Sequence, residues 1–190
     1  MATVVVPFRS GGKSRLPAEF RPEVALAMLG DVLEAAAAFA TDVRLVADDT
    51  AALLVADELG VKVVADPGGG QGRAVAAGLT GLVGPCLVVN ADLPCATPEA
   101  LAGLAAQHPT LVSAGDGTTN ALSLPDPTWF ESLYGPGSAA RFVAAGLAVV
   151  SIPELEHDVD TLADLLHLAL PVGRRTTRVL NQHKLDLERV

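Results

Sequence analysis

Cysteine is scarce in this sequence, whose 190 residues include only Cys86 and Cys95. Two cysteines do not form the disulfide framework of a small secreted domain, and no Cys/His cluster has the spacing of a zinc site. Aromatic residues are also rare, at 4% of the chain, although half of the residues are hydrophobic. Alanine, valine and leucine must therefore fill the core, and the length suits one domain with a single core.

Basic residues are outnumbered by acidic ones, and long apolar runs are missing. The chain has 13 Lys and Arg against 22 Asp and Glu, a formal net charge of −9. This balance excludes a general nucleic-acid or membrane surface, but it does not exclude an anionic small ligand held through a metal ion. No apolar stretch is long enough to cross a bilayer. The N-terminal sequence MATVVVPFRSGGK lacks the order of a signal peptide, so we expect a cytoplasmic protein.

Strand and helix patterns alternate along the first half of the chain. Short β-favouring runs predict strands at residues 4–6, 43–47, 61–65 and 86–90. Helical spacing predicts helices at residues 22–40, 49–59 and 73–82. Strands and helices that alternate over short connections favour an α/β domain with a mostly parallel central sheet.

The second half of the chain is less regular. Strands are predicted at 111–114, 120–124 and 147–152, a short helix at 127–133, and helix starts at Thr97 and Thr161. We expect one domain over residues 1–170 and a polar tail over residues 171–190, in which Arg174, Arg175 and Arg178 are solvated.

Residues 10–14, SGGKS, resemble the end of a P-loop. That motif requires a glycine six positions before its lysine, and position 7 is proline, so we reject it. Two interpretations stay open. The segment is a solvated loop, or its glycine N–H groups approach a phosphate together with Lys13 and Arg15.

A carboxylate follows the fourth predicted strand in the sequence LVVNADLP. Ligands of open parallel sheets bind at the carboxyl ends of the strands, so Asp92 is well placed for a hard cation such as Mg²⁺. The alternative is a solvated turn aspartate, or one that caps the approach to the helix at Thr97.

Two further carboxylates stand two residues apart in the segment HDVDT. Side chains at i and i+2 of an extended chain point the same way, so Asp158 and Asp160 could serve one metal centre. The alternative is local, because Thr161 and Asp164 have the spacing of a helix capping box.

Two stretches, DGTTN at 116–120 and GPGS at 135–138, are rich in small hydrogen-bonding groups. A Gly-Pro-Gly turn with Ser138 at a helix start offers N–H groups and a hydroxyl to a phosphate or a carboxylate. Arg141, three residues later, would lie on the same face and reach the same anion. An ordinary turn with a helix cap explains the second pattern equally well.

The order of these motifs resembles a known family. The succession KSRL, NADLP, DGTTNAL, GPGSAARF and DVDTLADL is similar to that of the 2-phospho-L-lactate or phosphoenolpyruvate guanylyltransferases, which act in biosynthesis of the deazaflavin coenzyme. The similarity runs from about Val4 to Leu165. It implies a single-domain nucleotidyltransferase with a Rossmann-like fold of the nucleotide-diphospho-sugar transferase type. It further implies GTP and a phosphorylated three-carbon acid as substrates, in a monomer or homodimer.

The resemblance also assigns roles to residues. It makes Asp92 and Asp160 the Mg²⁺ ligands and, together with Lys13, the catalytic residues. It assigns the phosphorylated acid to Thr119, Gly135 and Ser138, to which the spacing described above adds Arg141. It assigns the nucleotide to Lys13, Arg15, Gly70 and Gly72, and we expect Arg9 to supply there the charge of a family lysine that this chain lacks.

Three positions depart from the family pattern. Gln71-Gly72 stands where the family commonly has a Leu-Asn pair, Arg9 takes the place of an early lysine, and Phe142 replaces a histidine. Two rival functions also stay open. One is another nucleotidyltransferase, such as a molybdopterin guanylyltransferase or a sugar-phosphate type, which usually has a longer glycine-rich first loop. The other is a non-catalytic nucleotide-binding module, which would bind GTP without turnover.

Overall fold

The computed structural model describes residues 2–9 and 21–183. The strands of this part are β1 (Thr3–Pro7), β2 (Val43–Val46), β3 (Lys62–Val64), β4 (Cys86–Val89), β5 (Thr110–Ser113), β6 (Thr119–Leu124) and β7 (Ala148–Val149). The helices are α1 (Arg21–Phe39), α2 (Thr50–Glu58), α3 (Gln71–Leu79), α4 (Pro98–Ala105), α5 (Ser138–Ala144), α6 (Pro153–Glu156), α7 (Leu162–Leu166) and α8 (Arg174–Gln182). Lys13 and Arg15 fall outside the described residues.

The strands form one sheet in the order β3-β2-β1-β4-β6-β5-β7. Strand β1 pairs in parallel with β2 and β4, and β2 pairs in parallel with β3. Strand β6 runs antiparallel between β4 and β5, and β7 is parallel to β5. The predicted α/β fold with a mostly parallel sheet is confirmed. Since only β6 is reversed, its first residues lie at the same edge as the carboxyl ends of β1, β4 and β5.

Small apolar side chains fill the core, as the composition predicts. Residues 4–6 of β1 are fully buried, and helices cover the sheet on both faces with Ala, Val and Leu. Helix α3 approaches the sheet so closely that a Cβ at Gly78 would overlap the side chains of Val5 and Val46. Such packing leaves little room for larger side chains in the centre of the domain.

Two predicted elements are shorter than the sequence indicates. The predicted helix at 127–133 is a 3-10 turn over Pro127–Trp129, because the side chain of Asp126 accepts from the Thr128 N–H and the chain then extends. The predicted strand at 147–152 keeps only two residues at the edge of the sheet. Its end turns into α6, which begins at Pro153.

The prediction of a solvated tail is wrong for Arg175. Residues Arg174–Gln182 form helix α8, which packs along α1 and buries Leu180 against Val24 and Met28. The guanidinium of Arg175 pairs with Glu34 and Glu58, with nitrogen–oxygen distances of 2.8 Å in both cases. The polar composition of this segment gave no indication of its apolar stripe. It also did not indicate that Arg175 pairs with two glutamates far away in the sequence.

Among residues 2–9 and 21–183, none of the helices combines the length and the apolar character needed to span a membrane.

Candidate active site

Three carboxylates meet at the edge of the sheet where β1 and β4 end. Asp92 lies in the turn after β4, and Asp158 and Asp160 lie between α6 and α7. The Val159 N–H donates to the carbonyl oxygen of Asp92 at 3.0 Å, which ties the two segments together. One carboxylate oxygen of each aspartate lies within 4.8 Å of the others. The structure thus brings Asp92 and Asp160 together and adds Asp158, which the i, i+2 spacing had pointed to.

The burial of Val159 explains why its two neighbours face the same way. Val159 is fully buried and packs in a cluster with Val24 and Met28 of α1. Successive side chains of an extended segment point to opposite sides. Turning Val159 into this cluster therefore turns Asp158 and Asp160 away from it, and both are half-buried.

The capping box predicted after this segment is also present. The Asp164 N–H donates to Thr161 Oγ1 at 3.1 Å, and Asp164 Oδ2 accepts from the N–H groups of Thr161 and Asp160 at 2.7 and 3.0 Å. The local interpretation and the metal interpretation are therefore compatible. The box uses the side chains of Thr161 and Asp164 and orients the backbone of Asp160, whose own carboxylate belongs to the group of three.

The chemistry of this group fits a hard divalent cation. Carboxylate oxygens are the ligands that Mg²⁺, Ca²⁺ and Mn²⁺ take in proteins, and the group contains neither histidine nor cysteine. Its place at the carboxyl ends of parallel strands is where α/β folds bind ligands. A divalent cation site therefore agrees with both the donor set and the topology.

A cavity of about 230 Å³ opens on one side of the three aspartates. Its apolar wall comes from Phe8 at the end of β1, from Ala25 and Met28 of α1, and from Ala74 of α3. Its remaining lining is mainly polar and includes Arg9, Gln71, Asn90, Asp92 and Asp160. An apolar cleft with a few polar groups at one end is the usual form of a small-molecule site.

Arg9 lies at this cleft and is held by a bidentate ion pair. Its Nε and Nη2 atoms donate to the two carboxylate oxygens of Asp66 at 2.7 and 3.2 Å. The side chain of Asp66 is only 2% exposed, and it also accepts from the Gly68 N–H at 2.8 Å. The hydrogen bonds from Arg9 lower the pKa of Asp66 and raise that of Arg9. The pair fixes the position of the Arg9 guanidinium at the cleft, between the ends of β1 and β3.

The glycine loop before α3 contributes to the cleft through one residue that the sequence analysis did not assign. Gly70 stands just before the helix with φ +102°, a backbone conformation that residues other than glycine rarely adopt. Gly72 is buried, and a Cβ there would overlap Ser132 Oγ. Neither glycine lines the 230 Å³ cavity, whereas Gln71 between them does. The sequence signal that could have pointed to Gln71 is its amide side chain directly after a run of three glycines.

Thr119 and Ser138 lie on the other side of β4, buried and bonded to each other. Their hydroxyl oxygens are 2.9 Å apart, and their residues are 2% and 0% exposed. The Ala139 N–H also donates to the carbonyl oxygen of Gly117 at 3.2 Å. These bonds join the turn before β6 to the start of α5. Direct contact of the two hydroxyls with an acid stays a prediction.

Arg141 holds the Gly-Pro-Gly turn in shape. Its Nε and Nη2 donate to the carbonyl oxygen of Leu133 at 3.0 and 2.7 Å, and its Nη1 donates to that of Pro136 at 2.7 Å. Gly135 has φ +113°, so the turn needs glycine there. In this structure Arg141 braces the turn, and its predicted contact with an anion is a further role that the bonds do not test.

A second cavity, of about 280 Å³, lies on the far side of Asp160. Its acidic lining residues are Asp116, Glu156, Asp158, Asp160 and Asp164. Asp160 lines both cavities and so stands between them. A phosphorylated acid could occupy this acidic cavity only with positive charge beside it, because like charges a few ångströms apart repel strongly.

Comparison with known proteins identifies the family of this chain. The family model of the MobA-like NTP transferase domain matches residues 9–136. The chain is 37% identical over 201 residues to a phosphoenolpyruvate guanylyltransferase of Streptomyces coelicolor, covering 93% of this chain and 94% of the relative. It is 35% identical over 179 residues to a 2-phospho-L-lactate guanylyltransferase of Haloferax volcanii, covering 87% and 83%.

The fold has solved counterparts. A crystal structure described as a nucleotide-diphospho-sugar transferase from Desulfovibrio desulfuricans G20 superposes with a TM-score of 0.67 at 17% identity, covering 97% of this chain and 96% of that one. This likeness confirms the predicted fold type, and the sequence relatives confirm the predicted family. The chain belongs to the MobA-like NTP transferase family and, within it, to the phosphoenolpyruvate and 2-phospho-L-lactate guanylyltransferases.

Proposed function

We propose that this enzyme transfers GMP from GTP to the phosphate of a phosphorylated three-carbon acid, either phosphoenolpyruvate or 2-phospho-L-lactate, and releases pyrophosphate. The product would serve biosynthesis of the deazaflavin coenzyme. The observation that carries the proposal is the meeting of Asp92, Asp158 and Asp160 within 4.8 Å, between two cavities at the carboxyl edge of the sheet. The names of the relatives support the same reaction.

The reaction joins two phosphate groups directly. An oxygen of the acid's phosphate forms a bond to the α-phosphorus of GTP. The bond from that phosphorus to the oxygen bridging the β-phosphate breaks, and pyrophosphate leaves with the electron pair. A phosphate monoester has its second pKa at about 6, so the attacking group is largely a dianion at pH 7. The protein therefore needs no general base.

Charge repulsion is the main obstacle to this step. Two unit charges about 4 Å apart repel by about 4 kcal/mol at an effective dielectric constant of 20. Asp92, Asp158 and Asp160 would hold Mg²⁺ between the two cavities. When bound there, the ion supplies positive charge that offsets this repulsion and aligns the two phosphates.

The remaining residues bind and orient the substrates in this proposal. The apolar wall around Phe8 and Met28 takes the base and excludes water from the cleft. Arg9, held by Asp66, reaches the nucleotide phosphates together with Lys13 and Arg15. On the opposite side, Thr119, Gly135, Ser138 and Arg141 shape and bind the acid.

The test is pyrophosphate release in the presence of Mg²⁺, a panel of nucleoside triphosphates, and phosphoenolpyruvate, 2-phospho-L-lactate or phosphoglycerate. Release with GTP and one of the first two acids is the expected result. Asp92→Asn, Asp158→Asn and Asp160→Asn should each lower kcat/KM by about 100-fold or more, because each removes a charged ligand. Asp116→Asn is the matched control, since it removes one charge from the same acidic cavity and asparagine keeps the turn.

Metal binding provides a second readout that does not depend on turnover. At 100 times its dissociation constant, a ligand of the folded state stabilises it by about 2.7 kcal/mol. For a chain of this size that shift is about 5–10 °C in Tm. Mg²⁺ should give it to the wild type and to Asp116→Asn but not to the three variants. If all four variants respond to Mg²⁺ like the wild type, the three aspartates are not its ligands.

A further inference from the structure

Two side-chain amides form a hydrogen-bonded pair on the wall of the nucleotide cleft. Gln71 Nε2 donates to Asn90 Oδ1 at 2.7 Å. Asn90 Nδ2 in turn donates to the backbone carbonyl oxygen of Thr119 at 3.1 Å. Gln71 and Asn90 both line the 230 Å³ cavity together with Asp92. The chain of bonds thus runs from the turn at the start of β6 into the cleft.

The bond to Thr119 decides which way both amides face. A backbone carbonyl can only accept, so Asn90 must present its nitrogen to Thr119 and its oxygen to Gln71. An oxygen acceptor at Asn90 requires the nitrogen of Gln71 to face it. The backbone carbonyl of Thr119 therefore determines which end of each amide is oxygen and which is nitrogen. Gln71 cannot flip its amide without losing its bond to Asn90.

A fixed amide has a definite pattern of donor and acceptor. An amide group has two N–H donors and an oxygen acceptor, and one N–H of Gln71 is used by Asn90. The described part of the chain makes no hydrogen bond to Gln71 Oε1. What Gln71 offers to the cleft is therefore one N–H beside one acceptor, in a fixed order.

Guanine and adenine differ in the order of donor and acceptor along the edge that such an amide can contact. Along its Watson–Crick edge guanine presents the O6 acceptor and then the N1–H donor, whereas adenine presents the N6 amino donor and then the N1 acceptor. An amide that is free to flip can pair with either base. An amide held in one orientation pairs with only one of them in a given pose.

We propose that Gln71, locked by Asn90, is the residue that selects guanine over adenine in this enzyme, donating to O6 and accepting from N1–H. This inference rests on the proposed function, because it assumes that the cleft holds the base of the nucleotide. Asn90 is a positioning residue, which acts on the base only through Gln71.

The test compares nucleotides rather than total activity. Dissociation constants for GTP, ITP and ATP are measured by calorimetry with Mg²⁺ and without acid, so that no turnover is required. ITP keeps O6 and N1–H but lacks the 2-amino group of guanine. The wild type should bind GTP and ITP alike and ATP about 10- to 100-fold more weakly, as expected for one bidentate pair.

Two variants and one control carry the comparison. Gln71→Leu removes both polar groups at similar volume and should bring the ATP-to-GTP ratio of dissociation constants close to one. Asn90→Ala should also lower that ratio, because it frees the Gln71 amide to flip, and ATP binding should improve. Gln107→Leu, the same substitution at an exposed position just after α4, should keep the wild-type ratio. Melting curves establish that each variant is folded.

The outcomes separate this inference from the proposed function. A wild-type ratio in Gln71→Leu, or ITP binding as weakly as ATP, overturns the role of Gln71. An altered ratio in Gln71→Leu and Asn90→Ala supports it, even where no acid yields pyrophosphate. Pyrophosphate release together with an unchanged ratio keeps the proposed reaction and rejects the base-selecting residue.

Discussion

The start of helix α8 depends on one aspartate from a different helix. Gly173 precedes α8 and has no side chain to cap it, and Asp31 of α1 does so instead. The Arg175 and Thr176 N–H groups donate to the two carboxylate oxygens of Asp31 at 2.8 and 2.9 Å. Asp31 is 4% exposed, so these bonds are shielded from water. Asp31→Ala should remove both bonds and leave two N–H groups without their acceptor.

The size of the effect follows from two opposing contributions. A hydrogen bond to a charged group contributes about 1.5–3 kcal/mol, and an N-cap side chain about 0.5–2 kcal/mol. Burial of the carboxylate works against this and raises the pKa of Asp31. We therefore expect a net loss of about 1–3 kcal/mol, less than two full bonds. In a chain of this size that is a fall of about 2–12 °C in Tm.

The measurement is thermal unfolding followed by circular dichroism, with urea unfolding as a second method. Asp31→Asn should lose less than Asp31→Ala, because its amide oxygen can still accept one bond. Asp57→Asn, at an exposed position of α2, is the control for loss of one charge. Equal melting temperatures of wild type and Asp31→Ala would contradict this account of how α8 is held.

The pH dependence of the same comparison has a definite sign. A carboxyl group whose pKa is raised by folding stabilises the folded state below its unfolded pKa, and this contribution is lost as pH rises through the folded pKa. The difference in stability between wild type and Asp31→Ala should therefore be larger near pH 4 than at pH 7. A difference that grows towards pH 7 would mean that the ionised form is favoured by folding, contrary to the burial argument.

Three further changes have expected outcomes. Asp66→Asn should destabilise the protein more at pH 7 than at pH 3, since Arg9 lowers the pKa of Asp66 and the stabilisation that follows declines once pH falls below the unfolded pKa; urea midpoints at the two pH values measure this. Gly72→Ala should cost about 1–3 kcal/mol by overlap with Ser132, and Ser132→Gly should restore most of the loss in melting experiments. Ser138→Ala should raise the KM for the acid more than that for GTP in steady-state kinetics, and the opposite ranking would assign Ser138 to the nucleotide.

Local patterns in the sequence were enough for the backbone of the site. The alternation of β-favouring and helical segments predicts the mostly parallel sheet, because each pattern depends on residues a few positions apart. The same is true of Asp92 at the end of β4 and of the capping box of Thr161 and Asp164. A turn after a buried strand, or a cap at i and i+3, leaves its signature within a single segment.

The pairings between distant segments were decided only by the tertiary structure. Gln71 meets Asn90, Arg9 meets Asp66 and Arg175 meets Glu34 because particular faces of the elements pack together. No spacing in the sequence encodes those faces, so a polar residue far along the chain reads only as a surface residue or a turn. The composition of α8 predicted a solvated tail for the same reason, because its apolar side chains are buried only when the helix packs against α1. The local sequence therefore determines where the site residues lie in the fold. Long-range packing determines how their side chains are oriented.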